Sequence, residues 1–149
     1  MIRVSELKMP IEGNQKALEE KLAKALRVPV EDIKAMKQAA SAFIGEHDFK
    51  SFCANKRMKK STVRTIYDIV FEETEDKLVL HFYGNGFLYQ MVRILTGTLI
   101  EVGEGKRKAS EMENILRAGS REAAGFTAPS RGLFLREVYY ENWKDGADA

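Results

Sequence analysis

The chain is poor in the residues that staple, kink or ligate a fold. Among its 149 residues it has one cysteine, Cys53, three prolines, two histidines and one tryptophan. A single thiol excludes an internal disulfide framework and fits a reducing compartment. His47, His81 and Cys53 are too few to fill a four-ligand zinc site without carboxylates, and none stands at metal-ligand spacing, so metal binding is set aside. No apolar run reaches the roughly 18 residues that a membrane span needs. The opening MIRVSELKMP is charged from Arg3 onward and lacks the apolar core of a secretory signal. Gly84-Asn85-Gly86 and Gly103-Glu104-Gly105 lack phosphate-loop spacing and read as turns. These absences leave a cytoplasmic protein without a membrane segment as the expectation.

What is present suits one ordinary domain. Hydrophobic residues make up 44% and charged residues 31%, which argues against disorder. A chain of this length buries roughly 68–70% of the surface its unfolded form exposes, enough for a self-sufficient core. The net charge of +2 hides an uneven distribution, because residues 36–68 hold seven basic and three acidic side chains. Lys56, Arg57, Lys59, Lys60 and Arg64 crowd into one stretch whose Asn55, Ser61 and Thr62 read as loop leading into strand. Such a run suits nucleic-acid phosphates through counterion release, or a solvated loop that keeps the protein soluble, and composition leaves both open.

Hydrophobic periodicity places the elements. Residues 2–9 read as a strand ended by Pro10, and Gln15 to Arg27 as an amphipathic helix. Ala35 to Ile44 gives a second helix, with Gly45 placed to end it. Val63 to Phe71 and Leu78 to Tyr83 alternate as two strands of an antiparallel hairpin around a polar turn at residues 72–76. Leu88, Met91, Val92, Leu95, Leu99 and Val102 make one stripe of a long helix ending near Gly103. Ser110 and Glu113 have capping-box spacing for a shorter helix closed by Gly119. Gly132 to Tyr140 reads as the last strand. This order predicts an α+β fold, an antiparallel sheet with helices packed on one face.

Two groups of residues invite a chemical reading. His47, Asp48 and Ser51 supply triad residue types, but these are also common turn and capping residues, and structural hydrogen bonding is preferred. Arg93 lies within the apolar run FLYQMVRILTG, off the apolar stripe, with Gly97 one turn later leaving room beside it. Its guanidinium suits a bidentate carboxylate or phosphate, or equally a side chain that snorkels from the helix surface.

Taken in order, several motifs resemble one family. They are Phe43 to Phe52 (FIGEHDFKSF), Val63-Arg64-Thr65-Ile66, Gly86 to Arg93 (GFLYQMVR), Gly97, Glu101-Val102-Gly103 and Ala128 to Leu133 (APSRGL). Their sequence and spacing over about residues 36–141 closely resemble the C-terminal half of the tRNA pseudouridine synthase A family. The resemblance implies half of a pseudouridine synthase-like fold over residues 35–149, joined to an unmatched strand-helix segment at 1–34. It implies a family that isomerises uridine to pseudouridine in the anticodon stem-loop of tRNA, with no cofactor and with tRNA as partner. It places Arg93 against the family's catalytic carboxylate and the flipped nucleotide. Phe87 and Leu133 then border the base pocket, while His47, Asp48, Phe49, Lys56, Arg57, Lys59, Lys60 and Arg64 lie on the RNA-facing side.

The chain also departs from that family. The nucleophilic Asp belongs to an Arg-Thr-Asp motif of the family's N-terminal half, and here Arg64-Thr65 is followed by Ile66. The tyrosine-bearing strand that opens the family's C-terminal half is absent too. Residues 1–34 weakly resemble the start of some bacterial flavin-dependent dehydrogenases, but contain no nucleotide-binding glycine motif, so no flavin is expected. The expectation is therefore an RNA-binding half without its nucleophile, inactive by itself. The alternative is a non-catalytic RNA-binding or assembly module, a truncated or fused relic. An isolated half exposes sheet edge and formerly buried surface, which favours a homodimer, with the strand at 2–9 placed to cover one such edge.

Overall fold

A computed structural model describes residues 2–10, 32–73, 77–130 and 133–139. Its elements are β1 (Ile2–Pro10), α1 (Ile33–Ser41), β2 (Gly45–Asp48), β3 (Val63–Glu73), β4 (Lys77–Gly84), α2 (Met91–Gly103), α3 (Met112–Ala118) and β5 (Leu133–Tyr139). Single 3₁₀ turns at Lys50–Phe52, Ala109–Glu111 and Arg121–Ala123 punctuate the loops. The expected helix over 15–27 lies outside the described residues.

The five strands form one sheet in the order β2-β3-β4-β1-β5, and every pairing is antiparallel. The α+β architecture expected from periodicity is what forms. β3 and β4 make the expected hairpin, with Ile69 opposite Phe82 and Phe71 opposite Leu80, and a register shift between Ile66 and Asp68. β4 is central and buried on both faces. Leu78, Leu80 and Phe82 join the helix-covered core, whereas Val79 and His81 point away from it. On that second face His81 Nε2 lies 2.7 Å from Glu72 Oε2 on the neighbouring strand.

α2 fills the middle of the helical layer. Eleven of its residues are buried, so it is apolar nearly all round rather than striped, as a helix enclosed by protein must be. Thr96 and Thr98 enter this interior by donating their hydroxyls to the carbonyls of Val92 and Ile94, each at 2.8 Å. Gln90, at φ 60°, starts the helix three residues later than the hydrophobic stripe suggests.

Further features differ from the pattern reading. α1 ends at Ser41 rather than Ile44, because the chain must turn there to deliver the fully buried Phe43 into the core. β2 is not legible in the sequence, since GEHD has neither length nor apolar alternation, and its strand form comes from pairing with β3. The capping box is not made: Ser110 sits in a 3₁₀ turn and α3 starts at Met112 without a side-chain cap. Gly119, at φ 56°, does close α3 as expected.

β1 lies inside the sheet, not on its rim. It pairs antiparallel with β4 from Arg3 opposite Gly84 to Pro10 opposite Lys77, and with β5 from Ile2 opposite Tyr139 to Leu7 opposite Leu133. Among the described residues β5 is hydrogen-bonded to no strand but β1, so residues 2–10 link it to the sheet. A proline in such a strand removes a ladder hydrogen bond. Ser5→Pro is therefore expected to speed amide exchange across Leu133–Tyr139 by roughly tenfold or more while α2 stays protected. Hydrogen–deuterium exchange with peptide resolution checks this, and unchanged protection of β5 would contradict the pairing.

Candidate nucleic-acid interface

The cationic run occupies the loop between the Lys50–Phe52 turn and β3, and the polar residues around it set its shape. Asn55 Oδ1 accepts the Arg57 N–H at 3.1 Å, and Ser61 Oγ accepts the Val63 N–H at 3.1 Å. Asp48 Oδ1 accepts the Lys50 N–H at 3.1 Å and the Thr62 hydroxyl at 2.5 Å, closing the loop at its base. The Phe49 and Ala54 amides bond to the carbonyls of Thr62 and Tyr89 at 3.0 and 3.1 Å. With both ends held, Lys56, Arg57, Lys59 and Lys60 project from an anchored backbone and are exposed.

Beneath this loop is a cleft of about 500 Å³. Its charged lining is Lys50, Lys56, Lys60 and Arg121 against Asp48 and Glu122, which leaves it net positive. Lys56 Nζ bonds Glu122 Oε1 at 2.9 Å, tying the basic loop to the segment after α3. The Lys56 hydrogen bond, with that of Ser120, holds the Glu122 carboxyl down to about 2.

The other expected residues separate into structural and exposed sets. Phe49 does not face solvent: its ring is fully buried, edge-on to Phe52 at 6.3 Å, and Phe52 meets Phe43 at 5.1 Å. An RNA-facing role for Phe49 is thereby corrected to a core role, since the three rings bury more apolar surface together than any one gains by exposure. His47 is half-buried, its Nε2 2.9 Å from the Ile44 carbonyl and its ring edge-on to Phe49. Arg64, opposite His47 in the β2–β3 register, donates Nη1 to the carbonyls of Ser61 and Val63 at 2.8 and 2.7 Å. It therefore shapes the loop end. Phe87 is half-buried against Gly84, and Leu133 packs against the core.

Arg93 is clamped to the segment that precedes Leu133. Its Nε donates to Ala128 O at 2.7 Å, and the Ala128 N–H returns a bond to Arg93 O at 3.0 Å. Among the described residues it forms no ion pair, and its two Nη nitrogens meet no acceptor. Other side chains brace the same segment. Arg107 Nη1 donates to Ala123 O at 2.8 Å, and Arg121 donates to Gly125 O at 2.7 Å and Thr127 Oγ1 at 3.1 Å. Thr98 Oγ1 accepts the Gly125 N–H at 2.9 Å, and Ser51 Oγ accepts the Ser120 N–H at 3.0 Å. One braced segment, 119–128, thus lines the basic cleft at its start and meets Arg93 at its end.

The room that Gly97 leaves beside Arg93 is the seat of this segment. A Cβ there would run into the Phe126 carbonyl oxygen. Ser51 makes structural hydrogen bonds, its hydroxyl donating to the Ile115 carbonyl at 2.7 Å. Pattern reasoning passes over Ser120 and Glu122, whose partners Ser51 and Lys56 are distant in sequence. Tyr89, 63% exposed, is also missed, and its carbonyl is bonded to the start of the basic loop through the Ala54 amide. Among the described residues no cluster of ligands could hold a metal ion, and no helix is long and apolar enough to cross a membrane. Gly97→Ala is expected to lift the segment and cost roughly 1–3 kcal/mol or more in urea unfolding, the range of an overpacked core. Wild-type stability in that variant would show that the close approach yields freely.

Sequence comparison with known proteins finds matches along most of the chain. A family model described as tRNA pseudouridine synthase matches residues 39–141. A separate model, a domain of unknown function, matches residues 1–39. The chain is 45% identical over 141 residues to tRNA pseudouridine synthase A of Brevibacillus brevis, covering 93% of this chain and 57% of that protein. It is 50% identical over 111 residues to the protein of that name from Bacillus subtilis, covering 74% and 45%. With the one from Halalkalibacterium halodurans it shares 53% over 119 residues, covering 80% and 45%. The chain spans about half the length of the curated relatives it matches.

Proposed function

Because the chain belongs to the tRNA pseudouridine synthase family, we propose that residues 35–149 form a tRNA-binding half of such an enzyme and make no pseudouridine on their own. The observation that carries the reading is the braced 119–128 segment, which joins a net-positive cleft to Arg93. The cleft suits the RNA backbone, whose grip must offset the few kcal/mol needed to draw a uridine out of its stack. Tyr89, exposed and bonded through its carbonyl to the start of the basic loop, provides a ring on which a base can stack. Arg93, with its Nε fixed on Ala128, keeps its Nη groups for an anion.

The isomerisation needs a carboxylate nucleophile, and an Arg alongside would keep that group ionised and oriented. The Arg64-Thr65 pair leads into Ile66 rather than an Asp, and no described carboxylate is paired with Arg93. In this reading the nucleophile comes from polypeptide outside these 149 residues, with Leu133, at the head of β5, as an apolar wall for the base.

Two measurements test it. In a tritium-release assay on unmodified tRNA these residues alone are expected to stay at background, and repeated turnover would overturn the claim of inactivity. Neutralising Lys56, Arg57, Lys59 and Lys60 together is expected to weaken tRNA binding about tenfold or more at low salt. It should also flatten the dependence of log K on log salt by about 0.7–0.9 for each phosphate that the loop no longer neutralises. Unchanged affinity would remove the loop from the interface.

A further inference from the structure

Glu122 sits in an anion site made by the protein itself. Its carboxylate accepts from Lys56 Nζ at 2.9 Å, from the Ser120 hydroxyl at 2.7 Å and from its own backbone N–H. An ammonium, a hydroxyl and an amide converging on one exposed point are the donors that a phosphate oxygen takes. The carboxylate is anionic at neutral pH, and those donors lower its pKa further, to about 2. Its anchorage is nevertheless weak. Both side chains of the pair are 70% exposed, and ion pairs so open to water are easily exchanged.

The surroundings favour an incoming anion. Lys50 and Lys60 line the same cleft and have no carboxylate partner among the described residues. Arg121 is committed to Gly125 and Thr127 and so shapes the wall rather than offering a free fork. Asp48, the other acid of the cleft, is occupied by the Lys50 amide and the Thr62 hydroxyl.

We propose that the cleft between the basic loop and residues 119–122 is a phosphodiester-binding site for the RNA backbone, in which the Glu122 carboxylate holds Lys56 until a phosphate displaces it. The inference rests on the RNA-binding reading above and names the subsite. On binding, phosphate oxygens accept from Lys56 and Ser120, and Glu122 swings into solvent. A resident carboxylate makes a lone anion compete for one position, whereas an RNA strand brings neighbouring phosphates to Lys59 and Lys60 in the same event. Glu122 therefore favours a polyanionic strand over small free anions.

The test is Glu122→Gln in the full chain, an exposed substitution expected to fold normally. Anticodon stem-loop RNA, followed by fluorescence anisotropy at low salt, is expected to bind about fivefold tighter, the effect of one unit-charge interaction at about 4 Å in water. Inorganic phosphate, followed by amide NMR, is expected to shift the Gly119, Ser120 and residue-122 signals more in the variant than in the wild type. Equal or weaker RNA binding by the variant overturns the proposal. So does tighter binding without phosphate-dependent shifts at 119–122, which would place the gain elsewhere. If the basic-loop variant loses tRNA while Glu122→Gln matches wild type, the RNA-binding reading stands and this one falls. If wild type binds no RNA yet phosphate shifts those amides, more strongly in the variant, the anion site stands and the RNA reading falls.

Discussion

A backbone carbonyl resting on a glycine organises the functional side of this molecule. The Phe126 carbonyl approaches α2 at Gly97 so closely that no side chain fits between them. Once it is seated, the Arg93–Ala128 pair closes in both directions, and the Gly125 amide reaches the Thr98 hydroxyl one turn on. Hydrogen bonds of this kind stabilise most where water competes least, and Ala128, Gly125 and Thr98 are buried while Arg93 is half-buried. α2 supplies that setting because it is enclosed on nearly every side. The 119–128 segment consequently behaves as an extension of the core, although it contains little regular structure.

That rigidity separates two kinds of cation. Arg93, Arg107 and Arg121 direct donors to the carbonyls of residues 123–128, a use for which the planar, multi-donor guanidinium is suited. The lysines around the cleft have one compact charge each and mostly face water. The arginines build the wall, and the lysines supply the charge that it presents. A count of basic residues does not distinguish these uses, and Arg64 shows why, since it lies within the cationic run but bonds its own loop.

The second constraint comes from the sheet. β1 lies between β4 and β5, so a segment outside the residues 39–141 that the synthase family model matches supplies a central strand to the domain that carries that match. Leu133 stands at the head of β5 and owes its place in the sheet to residues 2–10. The base-wall role proposed for Leu133 and the pairing of the N-terminal segment are thus one structural question.

Much of this is legible in the order of the residues. The β3–β4 hairpin follows from strict alternation in a β-branched run, α2 from its apolar repeat, the end of α3 from Gly119, and the family from motifs whose order is specific. Local pattern determines these because each depends on residues a few positions apart. Tertiary structure decided the rest. β2 is a strand only because β3 offers it a partner, and Phe49 is core because Phe43 and Phe52 surround it. The room beside Gly97 belongs to the carbonyl of Phe126, far along the chain. Glu122 meets Lys56 across 66 positions, and no periodicity encodes an encounter at that range. Spacing along a chain reports which face a residue takes within its own element, whereas what lies opposite that face is set by how the elements pack.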